Sequence, residues 1–134
     1  MSARTKARKR ALDVLFASEL RNESPVDALE RAIADGEGPT NAYTTTLVRG
    51  VVEHQERIDE LLSTYSQGWT LSRMPAVDRN VLRLGVFEVL YADDVPDVVA
   101  VTEAMALVTE LSTDESPAFV NGVLGNIARD KATL

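Results

Sequence analysis

The segment from about Ala76 to Ala92 constrains the fold more than any other. Wound at about 100° per residue, it points Val81, Leu82, Leu84, Val86, Phe87, Val89 and Leu90 in nearly every direction. A helix apolar all round is stable only when surrounded, so the rest of the chain must cover it. Elsewhere apolar residues recur at helical spacing, and no segment shows the sustained alternation of a strand. The expected class is all-α: about seven helices in two helical subdomains packed as one compact domain. With 134 residues and 45% hydrophobic content, one such domain can bury a proper core.

The first helix is expected from about Ala3 to Arg21, with Ala7, Ala11, Val14, Leu15 and Ser18 on its inner face. Ser24 suits the N-cap of a second helix, Pro25 its first turn and Gly36 its end. From Thr40 to Tyr65 the apolar period continues through Tyr43, Leu47, Val48, Val51, Ile58, Leu61, Leu62 and Tyr65, and nothing in it demands a break. "SQGWTLSRMP" then interrupts the pattern and divides the chain into subdomains of about 1–66 and 67–134. A further helix is expected over Asp97 to Leu111, and a last one from Ser116 and Pro117, which repeat the earlier cap-then-proline start. Gly122 and Gly125 inside that last helix each cost about 1 kcal/mol relative to alanine. Close helix packing is their expected reason.

Several function classes drop out. The absence of cysteine excludes disulfides, thiolate zinc sites and cysteine nucleophiles, and suits a cytoplasmic protein. The run after the basic start is broken by Asp13 and Glu19, which argues against a signal peptide, and no stretch approaches the roughly 20 apolar residues of a membrane span. No phosphate-binding loop, nucleophile elbow or zinc-protease motif is present, so no catalytic residue, metal site or cofactor is assigned. The single histidine, His54, lies beside Glu53 and Glu56 and reads as structural. Asp93 and Asp94, and Asp114 and Glu115, precede helix starts, where they complement the dipole.

The opening stretch "RTKARKR", residues 4–10, carries five of the 14 Lys and Arg residues of a chain whose net charge is −7. The remaining nine face 21 acidic residues, a balance of −12. Such a run either docks on an anion or is a solvated tail. Within a first helix it crowds cations where the dipole is already positive, at about 0.3–1 kcal/mol for each poorly screened charge, which favours function. Lys9 and Phe16 project in similar directions off the core face, suiting a stacked base with its phosphate on the cation; packing of Phe16 under a neighbouring helix is the alternative. Phe119 is likewise either core or a second stacking surface. The acidic remainder would be repelled by a membrane surface and by long duplex DNA, so a short unpaired RNA segment fits best.

Three segments, "ARKRALDVLFASEL" (7–20), "WTLSRMPAVDRNVLRLGVFEVL" (69–90) and "SPAFVNGVLGNI" (116–127), together resemble the bacterial transcription antitermination factor NusB family. The resemblance spans nearly the whole chain, except between Asn22 and Asn41. It implies a non-enzymatic factor that binds boxA-type single-stranded RNA in nascent ribosomal RNA transcripts. Such factors act as a heterodimer with the ribosomal protein NusE and within an RNA polymerase antitermination complex. Arg4, Lys6, Arg8, Lys9 and Arg10 match the family's arginine-rich RNA-binding start, and Phe16 and Phe119 match aromatic positions implied in RNA contact. Asp78 matches an acidic residue of the partner contact, with Met74 and Val77 nearby; core packing and a helix-start role are the alternatives for these three. Thr5 and two lysines depart from a richer arginine cluster. Some relatives form homodimers, and the resemblance leaves that open here. A similar helical domain precedes the catalytic domain of certain ribosomal RNA cytosine methyltransferases, whose catalytic cysteine has no counterpart in this sequence. A plain protein-interaction module is the remaining reading.

Overall fold

The apolar segment forms helix α5 (Ala76–Tyr91), ten of whose sixteen residues are buried, polar Asp78, Asn80 and Glu88 among them. The computed structural model describes residues 2–134, and among these the other helices are α1 (Ala3–Arg21), α2 (Pro25–Ala34), α3 (Ala42–Glu53), α4 (Gln55–Tyr65), α6 (Asp97–Leu111) and α7 (Ser116–Asp130). Two single 3-10 turns, Leu71–Arg73 and Lys131–Thr133, complete the elements; the described residues hold no strand. The fold is all-α. No helix is long and apolar enough to cross a membrane among the described residues.

The chain forms two compact units, one running to Glu53 and the other spanning His54–Leu134. In the first, α1 packs on α2 and α3, and α2 on α3. Its core is Ala7, Ala11, Leu12, Leu15, Leu29, Leu47, Val48 and Val51. Leu12 is buried and Val14 only half-buried, a small rotation from the inner face expected of α1.

Both ends of α1 are set locally. Ser2 caps its start, its Oγ accepting from the Thr5 N–H at 3.0 Å. Asn22 ends it in the left-handed region at φ 53°, with the Glu23 N–H reaching back to the Ser18 carbonyl. Ser24 and Gly36 act on α2 as expected. Ser24 Oγ accepts from the Asp27 N–H, and Gly36 at φ 77° lets the Glu37 N–H close on the Ala32 carbonyl at 2.8 Å.

In the second unit α5 is covered by α4, α6 and α7. Arg83 lays its guanidinium fork on Asp59 of α4, Nε to Oδ1 at 2.9 Å and Nη2 to Oδ2 at 3.1 Å. Tyr65 on α4 donates its hydroxyl to Asp130 Oδ2 at 2.8 Å, and that bond, with burial, raises the phenol above its ordinary pKa.

The segment Thr40–Tyr65 is not one helix, as its period suggests. His54 leaves the helical region at φ −105°, ψ 13°, and its ring stacks on Tyr91 with centroids 3.8 Å apart and planes 10° apart. The break thus coincides with an aromatic contact to α5 that the period of α3 and α4 does not reveal. The sequence places the subdomain boundary near residue 66. In the structure the chain passes between units at Glu53 and His54, because α4 packs with α5 and α7.

The glycines also differ from expectation. A Cβ at Gly122 or Gly125 would meet nothing within 4 Å, so close packing is not their reason. The close approach belongs to Gly85 on α5, where a Cβ would lie 2.5 Å from Cδ1 of the fully buried Leu124. Gly122→Ala and Gly125→Ala are each expected to stabilise the fold by about 0.5–1 kcal/mol through helix propensity. Gly85→Ala gains the same propensity and loses more by overpacking, about 1–3 kcal/mol. Thermal denaturation of the three variants checks this; destabilisation by the α7 substitutions would show a packing role that the geometry lacks.

Candidate nucleic-acid interface

All five cations of the basic run lie in the first half of α1, but they are not equivalent. Arg4 sets its guanidinium 4.1 Å from the centre of the Tyr43 ring on α3, and Arg8 sits 5.8 Å from the same ring at only 4% exposure. Thr44 beside that tyrosine donates its buried hydroxyl to the Ala7 carbonyl at 3.1 Å, clamping α1 to α3 at this point. Arg4 and Arg8 thus both face the Tyr43 ring.

Lys6 and Arg10 face solvent one turn apart, and Lys9 is half-buried. Together with Pro39, Thr40 and Asn41, Lys6 and Arg10 line a cleft at the start of α1. Arg10 Nη2 donates to the Glu37 carbonyl at 3.4 Å. Asn41 fixes the opposite wall: its Nδ2 donates to the Ala3 carbonyl at 3.3 Å and its Oδ1 accepts from the Tyr43 N–H at 2.9 Å. The first turn of α1 holds no acidic residue, so the dipole and the cations add. This face can take an anion.

Phe16 is half-buried on α1 in the first unit. Phe119 belongs to α7 in the second; it is also half-buried, with its ring 5.6 Å from that of Trp69 at an interplanar angle of 37°. Among the described residues, no group of three or more His, Cys, Asp or Glu side chains is placed to hold a metal.

The residues expected at the partner surface separate by depth. Met74 and Asp78 are buried at 4% and 3% exposure, and Val77 is half-buried. Asp78 Oδ1 accepts from Ser112 Oγ at 2.5 Å and Oδ2 from Ser116 Oγ at 2.8 Å, so its carboxylate ties the start of α5 to the α6–α7 connection. Ser116 is therefore not the N-cap its likeness to Ser24 suggests: it is the first residue of α7, and its hydroxyl turns to Asp78. Arg79 braces the same corner, its Nη1 donating to the Leu71 and Met74 carbonyls at 2.8 and 3.0 Å; burial, then Arg83, holds its pKa below the ordinary value. Sequence reasoning missed Tyr43, Trp69, Arg79 and Ser112. Only Trp69, an isolated aromatic in a polar connection, carried a local signal.

The NusB family's sequence pattern matches residues 5–129. The transcription antitermination protein NusB of Nocardioides sp. is 79% identical over 134 residues, covering 100% of this chain and 99% of that protein. Among solved structures, NusB of T. maritima superposes with a TM-score of 0.85 at 35% identity, covering 99% of each chain. A chain from a crystal structure of the antitermination factors NusB and NusE in complex with double-stranded RNA superposes at 0.81 and 29% identity, covering 94% of this chain and 96% of that one.

Proposed function

Since the chain belongs to the NusB family, we propose that it is a non-enzymatic transcription antitermination factor that binds boxA-type single-stranded RNA of nascent ribosomal RNA transcripts together with a NusE-type ribosomal protein. The observation that carries this reading is the solvent face of α1. Lys6 and Arg10 stand side by side at the positive end of a helix, on a protein otherwise strongly acidic. A relative of the same fold was crystallised with NusE and double-stranded RNA, which supports both partner classes. The preference for an unpaired segment rests on charge, because a balance of −12 outside the basic run is repelled by an extended polyanion except where α1 touches it.

In this reading Lys6, Lys9 and Arg10 take phosphates, Arg4 and Arg8 hold the helix in place from the Tyr43 side, and Phe16 and Phe119 offer stacking surfaces. The NusE-type protein docks at the start of α5. Val77 meets it, while Met74 and Asp78 fix the backbone from beneath. The complex works in the cytoplasm on transcribing RNA polymerase.

The test is a fluorescence-anisotropy titration of a boxA-like RNA and a scrambled control, each with and without the purified NusE-type protein. Binding selective for the boxA-like RNA and tightened by the partner is expected. Equal, weak and partner-independent binding of both RNAs would overturn the reading and leave a charged helix on an interaction module.

A further inference from the structure

Trp69, the sole tryptophan of the chain, is 49% exposed. Its backbone is nevertheless held at both ends. Gln67 and Gly68, at φ 38° and φ 87°, turn the chain sharply after α4. The Trp69 N–H then donates to the Ser66 carbonyl at 3.3 Å, and the buried Ser66 hydroxyl lies 2.9 Å from the Trp69 carbonyl oxygen. Against the indole lies Phe119, tilted by 37° at 5.6 Å. Exposed Arg73 follows on the next 3-10 turn, and Gly68, Trp69 and Arg73 line one depression.

We propose that Trp69, Phe119 and Arg73 form a seat for a single unpaired nucleobase, which stacks on the indole while Arg73 takes an adjoining phosphate. The proposal deepens the RNA-binding reading and rests on it. An exposed indole set against a second ring offers a stacking surface, and every base has a π-face to lay on it. A guanidinium in the same depression supplies the charge that a nucleotide, unlike an apolar side chain, requires. No other large hydrophobic residue between 66 and 75 or between 115 and 122 is exposed, so these segments offer an apolar peptide no second exposed apolar contact. Phe119 was legible as an aromatic of uncertain use; its exposed neighbour and the cation give the pair a ligand chemistry.

Because Trp69 is the only indole, its emission reports on this seat alone. The full chain is titrated with end-labelled boxA-like RNA, anisotropy reading binding and tryptophan emission reading stacking. A set of the same RNA with single abasic positions is titrated in parallel. Emission is expected to quench in step with anisotropy, and one abasic position is expected to abolish the quench. Trp69→Ala should weaken binding about 5- to 150-fold at an unchanged melting temperature, with Trp69→Phe retaining most of the affinity. Arg73→Gln should reduce the salt dependence by somewhat under one unit of slope. RNA that binds by anisotropy without altering the emission, together with a Trp69→Ala protein that binds like the parent, would sink the seat and leave the RNA reading standing. A quench produced by the NusE-type protein alone and not by RNA would assign the ring pair to that protein and overturn the proposal. Absence of RNA binding in anisotropy would overturn both.

Discussion

Asp78→Ala is expected to lower folding stability by about 3 kcal/mol, a fall of about 10 °C in melting temperature for a chain of this size. The residue is 3% exposed, and its carboxylate accepts from two hydroxyls that come from different elements, Ser112 after α6 and Ser116 at the start of α7. A hydrogen bond to a charged group contributes about 1.5–3 kcal/mol, and removing the acceptor leaves the buried Ser116 hydroxyl short of its strongest partner. The loss is softened because Ser116 Oγ also lies 2.8 Å from Thr113 Oγ1 and 3.1 Å from Ser112 Oγ. Asp78→Asn keeps one carbonyl oxygen and the side-chain volume, so it should fall between parent and alanine variant. Thermal or urea denaturation of the three proteins decides the matter. An alanine variant melting within a degree or two of the parent would mean that this carboxylate holds nothing together.

The same residue shows where sequence reading stops. A helix-start acid and a partner contact were both open for Asp78, because its neighbours in the fold lie 34 and 38 positions away and no local pattern encodes them. What the sequence did disclose was local in cause. The all-round apolar segment demanded a covered helix and became α5; Ser24 and Gly36 set the ends of α2 by hydrogen bonds within a few residues, and Pro25 suits its first turn. The break at His54 was hidden because the apolar period runs through it undisturbed, and the Tyr91 ring that stacks on His54 lies 37 residues on. Glycine misled for the same reason. Helical cost singles out Gly122 and Gly125, but only the packed structure reveals that the Leu124 side chain needs the space at Gly85. For the basic run the sequence located the site and could not rank its members, since all five cations look alike until Tyr43 is placed beneath two of them.

That ranking yields a second large effect. Replacing Lys6 and Arg10 together by glutamine is expected to weaken binding of a boxA-like RNA about 60-fold at 50 mM salt and only about tenfold at 200 mM. Each lost contact to a single strand removes about 0.7 from the slope of log affinity against log salt, and these figures follow if the two contacts contribute nothing at 1 M. Both side chains face solvent, so folding does not depend on burying them. Their removal relieves two cations near the positive end of α1, which should leave the melting temperature level or raised, although the net charge moves from −7 to −9. Loss of RNA binding with intact stability separates function from folding at these positions. Arg8→Met should behave oppositely. With the residue 4% exposed and its guanidinium 5.8 Å from the Tyr43 ring, its loss should lower the melting temperature while the salt slope stays at the parent value. Anisotropy titrations across a salt series, paired with melting curves, read both quantities on the same preparations. If Arg8→Met flattens the slope as much as the double variant does, Arg8 leaves its place beside Tyr43 to meet RNA, and the division of the basic run into inward and outward cations is wrong.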